Sequence, residues 1–197
     1  MPVGSSKFGL MAAAGAAGGD GDFVLLDEVV IPSTAAQIHF TSSGSDDTWD
    51  NYQSLLVYAS LRSDASGRNV SWRFGSYSGG YNWTRADSTG SSIYADSNSG
   101  WEARSDGIQT GDSDYYSPFR LLLVNHNEYN PASQCWQMHG SYNNASTGRM
   151  NRNHGNWNPS SQEAIDEIYM ISGNNNPSNQ NFSTGSYAQV FGLKAAA

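Results

Sequence analysis

The segment Tyr52–Arg62 constrains the fold more than any other part of this chain. In an extended strand, side chains alternate between the two faces of the sheet. One face of this segment would then carry only apolar residues, namely Leu55, Val57, Ala59 and Leu61. The other face mixes Leu56 and Tyr58 with serines. The pattern predicts a strand that is buried on one face and half-buried on the other.

The rest of the chain is rich in Ser, Gly and Asn, and only 38% of all residues are hydrophobic. Short apolar runs bounded by turn residues account for most of the remaining apolar material. These runs are Phe23–Ile31, Ala36–Ser42, Val70–Phe74, Tyr81–Thr84, Ser91–Ala95, Phe119–Asn125, Gln134–His139, Ala164–Ser172 and Ser186–Leu193. About eight to ten strands at such spacing predict an all-β fold, an antiparallel β-sandwich or jelly roll.

One segment also permits a helix. Residues 161–171 contain acidic side chains, as helices often do, but β-branched residues and the turn-forming stretch 173–176 favour a strand. Trp72 and Phe74 alternate with polar residues, so we expect them to face the core with Leu55 and Val57 of a neighbouring strand.

The first 22 residues differ in composition from the rest. They are mostly Ala and Gly, with Phe8, Leu10 and Met11 as the large apolar side chains and Lys7 just before them. An apolar run of Ala and Gly after one basic residue favours an arm over a cleaved signal segment. We therefore expect an extended N-terminal anchoring arm over residues 1–22, ordered by a partner chain or by an oligomer, and a β-sandwich domain over 23–197.

Charge and cysteine usage narrow the function. The net charge is −8, and Lys7 and Lys194 are the only lysines, so we expect no nucleic-acid partner. No run reaches the length of a membrane helix, so we expect no membrane insertion. The single cysteine, Cys135, excludes an intrachain disulfide, and a buried inert thiol is favoured over a reactive one. We expect no cofactor.

Acidic clusters and histidines offer the only metal candidates. Asp106, Asp112 and Asp114 form the best of three acidic groups that could bind calcium, but Asp is also a common turn residue and no group has EF-hand spacing. The four histidines are scattered without zinc-like spacing. No pattern of residues indicates catalysis, so we expect a protein that is not an enzyme.

The segment 140–161 is the main candidate for a binding surface. No acidic residue lies between Glu128 and Glu163, although the chain is acidic overall. The candidate contact residues in this interval are Tyr142, Arg149, Arg152, His154 and Trp157. Aromatic rings with Asn and Arg donors suit carbohydrate recognition, and Tyr, Trp and Arg are also enriched at subunit interfaces. A long solvated loop that packs its own aromatic side chains is the third interpretation.

The chain contains four short motifs: Leu55-Leu-Val-Tyr-Ala-Ser-Leu-Arg-Ser-Asp64, Trp72-Arg-Phe74, Tyr81-Asn-Trp83 and Val190-Phe-Gly-Leu193. Together they resemble a family of bacteriophage virion proteins found in marine and cyanobacterial phages. The start Phe8-Gly-Leu-Met-Ala-Ala-Ala-Gly15 also resembles the anchoring termini of such proteins. The resemblance covers about residues 23–193 and implies a jelly-roll structural protein without catalytic residues.

The resemblance implies a virion surface location, on the tail or the capsid exterior. A tail appendage, either a fibre or a tip, is the first expectation, and a capsid decoration protein is the alternative. A secreted lectin-like module is third. The expected partners are other virion proteins through the arm, further copies of the chain in a homo-oligomer, with a trimer favoured, and host surface glycans.

Overall fold

The computed structural model describes residues 23–45, 47–64, 69–75, 80–89, 92–100, 103–106, 109–110, 116–127, 135–144, 147–158, 164–173 and 180–194. At Asn69, Arg85, 87–89, 92–100, 103–106, 109–110, 135–144 and 147–151 it describes the backbone alone. The predicted arm, with Phe8, Leu10 and Met11, lies outside the described residues.

The described part of the chain forms thirteen strands and two short 3-10 turns. The strands are β1 (Phe23–Val30), β2 (Gln37–Thr41), β3 (Ser54–Ser63), β4 (Asn69–Phe74), β5 (Tyr81–Thr89), β6 (Ser92–Gly100), β7 (Ala103–Asp106), β8 (Gln109–Thr110), β9 (Ser117–Val124), β10 (Cys135–Asn144), β11 (Thr147–Trp157), β12 (Glu167–Ser172) and β13 (Tyr187–Leu193).

Two sheets are packed face to face. The large sheet has the order β1-β13-β3-β9-β10-β11-β5-β6, all antiparallel, and the short β8 pairs with β3 in parallel. The small sheet has the antiparallel order β2-β12-β4-β7. The prediction of an all-β, antiparallel sandwich is confirmed. The jelly-roll connectivity stays a prediction.

β3 and β4 build the core from opposite sheets. Leu55 and Val57 on β3, and Trp72 and Phe74 on β4, are fully buried, so their predicted inward direction is confirmed. The expectation that β3 and β4 are neighbours is wrong, because β4 pairs with β12 and β7 while β3 pairs with β13 and β9. Alternation specifies which side chains of a strand face inward. It does not specify which of the two sheets the strand belongs to, because both sheets of a sandwich direct one face to the core.

The strand favoured for the segment ending at Ile171 is confirmed by β12, and the helical alternative is wrong. Two further differences concern strand assignment. β7 and β8 are too short and polar to show in the sequence pattern. The segment predicted as a loop at 140–161 is mostly a hairpin, in which β10 pairs with β11 from Cys135↔Asn156 to Asn144↔Thr147. Asn, Gly and Ser are tolerated there because neighbouring strands supply the pairing on both sides of the hairpin.

The chain reaching β3 is held by a network of side chains around Asp47. This carboxylate accepts hydrogen bonds from Tyr52 Oη at 2.8 Å, Asn51 Nδ2 at 3.0 Å and the Thr48 backbone N–H at 2.8 Å. Burial and the hydrogen bond to Asp47 raise the pKa of Tyr52 to about 12. The same hydrogen bond makes the largest contribution to lowering the pKa of Asp47. The Tyr52 ring lies over Gly192, where any Cβ would overlap it.

We expect Trp72→Ala to lower the free energy of unfolding by about 3–5 kcal/mol, because it empties a fully enclosed site between the sheets. Chemical denaturation with the intrinsic fluorescence of the remaining tryptophans measures this change. The control Val30→Ala removes apolar atoms from a side chain that is 56% exposed, and it should stay within about 0.5 kcal/mol of the parent. Equal effects of the two substitutions would contradict the described core.

Acid should destabilise the fold through His126. This side chain is buried, its Nε2 donates to the Trp49 carbonyl at 3.0 Å, and burial lowers its pKa below the usual 6.5. The unfolded chain therefore binds more protons as the pH falls below about 6.5, and stability falls by up to about 1.4 kcal/mol per pH unit for this one group. Denaturation midpoints measured from pH 7.5 to pH 5 should flatten in His126→Gln. They should keep the parent's slope in the exposed control His154→Gln.

Candidate binding surface on the large sheet

The large sheet has a second face, directed away from the small sheet, which we call the outer face. On β3, Leu55 and Val57 point to the core, so Leu56 and Tyr58 belong to the outer face. The antiparallel register aligns outer-face positions of successive strands in rows across the sheet. Two such rows have contrasting chemistry.

The first, the basic row, runs across β9, β10 and β11. Arg120 stands opposite His139, and His139 stands opposite Arg152. Both arginines are exposed, and so is His154, two residues further along β11. The two arginine backbones are separated by two strand spacings, or roughly 10 Å. An acidic chain thus presents two exposed cations in register on one face.

The described surroundings of the basic row carry no charge of opposite sign on the neighbouring strands. Next to Arg152 and His154, β5 exposes Ala86 and Thr84 in register. The described side chains of β9, β11 and β5 include no carboxylate. In the same row, Glu28 lies on the far strand β1, where its Oε2 accepts a 3.2 Å hydrogen bond from Gln189. The positive charge of the arginines is therefore not neutralised by a described side chain of these strands.

The second row is apolar and begins at the sheet edge. It aligns Leu25, Phe191, Leu56 and Leu122 across β1, β13, β3 and β9. Leu56 and Phe191 are 2% and 7% exposed, and Tyr58 packs on Phe191 edge to face with ring centroids 6.1 Å apart. We call this row, together with Phe23 and Val30 of β1, the apolar strip.

The edge of the apolar strip is open to solvent. Phe23 and Val30 are 52% and 56% exposed, and they are the large hydrophobic side chains that stand out as exposed in the described part of the chain. Phe23 is opposite Leu193 and Val30 is opposite Tyr187, which places both on the outer face. An exposed apolar area at a sheet edge is typical of a protein contact.

The small sheet carries a polar cluster that sequence reasoning missed. The rings of His39 on β2 and Tyr169 on β12 stack with centroids 3.9 Å apart and an interplanar angle of 8°. Tyr169 Oη donates to Glu167 Oε2 at 2.7 Å, and His39 Nε2 lies 3.8 Å from the same oxygen. Burial, together with this carboxylate, raises the pKa of Tyr169 to about 12, so the phenol remains a donor at neutral pH. The pairing of β2 with β12 brings His39 beside Tyr169 and Glu167, which are distant from it in the chain.

The structure separates the candidate contact residues of 140–161. Tyr142 and Arg149 are register partners in the β10–β11 hairpin, where only their backbones are described. Arg152 and His154 are exposed on the outer face. Trp157 is 0% exposed, so its assignment as a surface contact is wrong. It packs against Tyr81 and Phe74, with ring centroids 6.1 Å and 6.3 Å away, because its position on β11 faces the small sheet.

The calcium candidates have no structural support within the described residues. Asp106 ends β7 opposite Asn69, with its backbone alone described, while Asp112 and Asp114 lie outside the described residues. No group of three or more potential metal ligands occurs in the part of the chain that the structure describes. Asp47, from another acidic group, accepts hydrogen bonds within its own turn.

No protein-family model matches this chain, and no curated protein is significantly similar to it. Within the described ranges, no helix has the length and apolar character needed to cross a membrane.

We expect Trp157→Ala to cost about 3–5 kcal/mol of stability, because it leaves a cavity beside Phe74 and Tyr81. Arg152→Ala, five residues away on the same strand, should change stability by no more than about 0.5 kcal/mol, because its side chain is exposed. Urea denaturation of the two variants tests this contrast. A Trp157 variant as stable as the Arg152 variant would show that Trp157 is not part of the core.

Proposed function

We propose that this protein is a non-enzymatic structural component of a bacteriophage virion, exposed on the particle surface as part of a tail appendage. In this proposal the β-sandwich is the body, and residues 1–22 tether it to other virion proteins. Several copies assemble side by side, with a trimer as the favoured homo-oligomer. A capsid decoration protein is the alternative within the same class.

The apolar strip is the observation that carries this proposal. Phe23 is its outermost residue and follows directly on the arm, so the arm leads into the exposed apolar edge, although Asp20 and Asp22 separate its apolar residues from Phe23. Burying Phe23 and Val30 in a contact would stabilise that contact by roughly 1.5–3 kcal/mol for each side chain. One contact with a partner could bury both the arm and the exposed apolar edge. Such an arrangement is typical of a subunit of a larger assembly.

The edge strand is protected from indiscriminate pairing. The β1–β13 register shifts between Leu25 and Asp27, which places a bulge in the middle of the edge strand. Asp27 and Glu28 follow at once, so two charges interrupt the apolar sequence of β1. Bulges and edge charges hinder sheet-to-sheet aggregation. A specific partner that covers the apolar positions is therefore favoured over open-ended strand pairing.

The motifs that resemble phage virion proteins also bear on the proposal. Leu55, Trp72, Tyr81 and Val190 each belong to one of these motifs, and all four are fully buried. The resemblance therefore rests on residues that build the sandwich. It supports the fold of the body more directly than it supports binding to a receptor. The contact role rests on the apolar strip.

Incorporation into particles tests this proposal. Phage particles that lack the native protein would be assembled with variants supplied in trans, and the copy number of each variant would be measured by quantitative mass spectrometry. We expect deletion of residues 1–22 to abolish incorporation while the melting temperature of the soluble domain stays near that of the parent. Phe23→Ser with Val30→Ser should reduce incorporation because both exposed anchors are lost.

The matched control is Asn82→Ser with Thr84→Ser, a pair of exposed positions on β5, away from the apolar strip. This control should be incorporated like the parent. Copy number proportional to the tail would identify an appendage, and copy number proportional to the capsid would identify a decoration protein. Normal incorporation of the arm deletion would refute the tether, and absence of the parent protein from purified particles would refute the virion assignment.

A further inference from the structure

The basic row is the strongest remaining feature of the described surface. Arg120 and Arg152 are exposed on the same face, in register, with the backbone of His139 between them. Neither guanidinium has an ion-pair partner among the described residues. In a chain of net charge −8, two neighbouring cations with no carboxylate among the described side chains of β9, β11 and β5 concentrate positive potential on one part of the surface.

We propose that the outer face of β9, β10, β11 and β5 is a binding site for an anionic polysaccharide, with Arg120 and Arg152 each contacting a sulfate or carboxylate group. The inference rests on the proposed surface role and specifies the ligand class. The guanidinium group donates two parallel hydrogen bonds to such groups and keeps its charge at any physiological pH. Two arginines roughly 10 Å apart suit a chain that carries one anionic group every one or two sugars.

The neighbouring side chains supply what sugar hydroxyl groups need. Thr84 and Asn82 on β5 are exposed beside β11, and His154 is exposed between these positions and the basic row. Tyr58 stands next to Arg120 in register and is half-buried, with its ring held against Phe191. Hydroxyl, amide and imidazole groups donate and accept hydrogen bonds, and an aromatic ring packs on apolar sugar faces.

Charge density argues against nucleic acid as the ligand. Duplex DNA carries a negative charge about every 1.7 Å, so binding it depends on many cations along a track. The outer face of β9, β10, β11 and β5 offers two arginines with described side chains, and the remainder of an acidic chain would repel a densely charged polymer. A sparsely charged polysaccharide meets less repulsion and gains from the neutral hydrogen-bonding groups around the arginines.

Binding of the purified full chain to immobilised dextran sulfate and polygalacturonate, with neutral dextran as the reference, tests the proposal. We expect both anionic polymers to bind, with affinity that falls as salt increases, and neutral dextran to bind far more weakly. Arg120→Gln with Arg152→Gln should weaken binding roughly tenfold or more, because two charge-assisted contacts are lost. Arg120→Lys with Arg152→Lys should recover part of the affinity, since the charge remains.

The matched control is Lys194→Gln, which removes one exposed positive charge away from the basic row. It is compared with the single variants Arg120→Gln and Arg152→Gln, which each remove one exposed positive charge from that row. The Lys194 variant should bind within about twofold of the parent. Undiminished binding in the double glutamine variant would overturn the proposal, and so would an equal loss in the Lys194 variant. Poly-glutamate that binds as tightly as polygalacturonate would also overturn it, in favour of an acidic protein partner.

This experiment uses the free protein, so it does not depend on incorporation into particles. A chain that binds anionic polysaccharides but is absent from virions refutes the virion assignment and keeps the binding site. A chain present in virions that binds neither anionic polymer refutes the binding site and keeps the virion assignment.

Discussion

The contact between Tyr81, Phe74 and Trp157 joins the two sheets on the side that carries the basic row. Tyr81 Oη accepts the backbone N–H of Phe74 at 2.7 Å, so a strand of the large sheet is hydrogen-bonded to a strand of the small sheet inside the core. The Phe74 ring lies 5.6 Å from Tyr81 and 6.3 Å from Trp157 between ring centroids. β5 and β11 are thereby held against β4.

This contact also sets the direction of the surface residues. Because Trp157 is buried, alternation along β11 places Asn153 inward and Arg152 and His154 outward. Asn153 is fully buried and the two basic side chains are exposed, as this arrangement requires. A shift of one residue in the register of β11 would bury the arginine and expose the tryptophan, so an aromatic core contact controls the chemistry of the outer face.

The outer face divides into two parts with different consequences. The part near β1 is apolar and ends at two exposed side chains, Phe23 and Val30, which suits a contact with another protein. The part across β9 to β5 carries Arg120 and Arg152 among neutral polar groups, which suits an anionic and hydroxyl-rich ligand. A single sheet therefore carries, on one outer face, an apolar edge suited to assembly and a basic region suited to recognition.

The sequence by itself determined the fold class and the inward direction of the core side chains on β3 and β4. Periods of two in Tyr52–Arg62 and in Val70–Phe74 predict inward side chains, and burial of an apolar face is local enough to be read from neighbouring residues. Only the tertiary structure decided that β3 and β4 lie in opposite sheets, that β10 and β11 form a hairpin, and that Trp157 belongs to the core. The arrangement of Arg120 beside Arg152 was equally beyond sequence reasoning, because β9, β10 and β11 align them through hydrogen bonds between strands, and alternation within one strand does not specify which strand will be its neighbour.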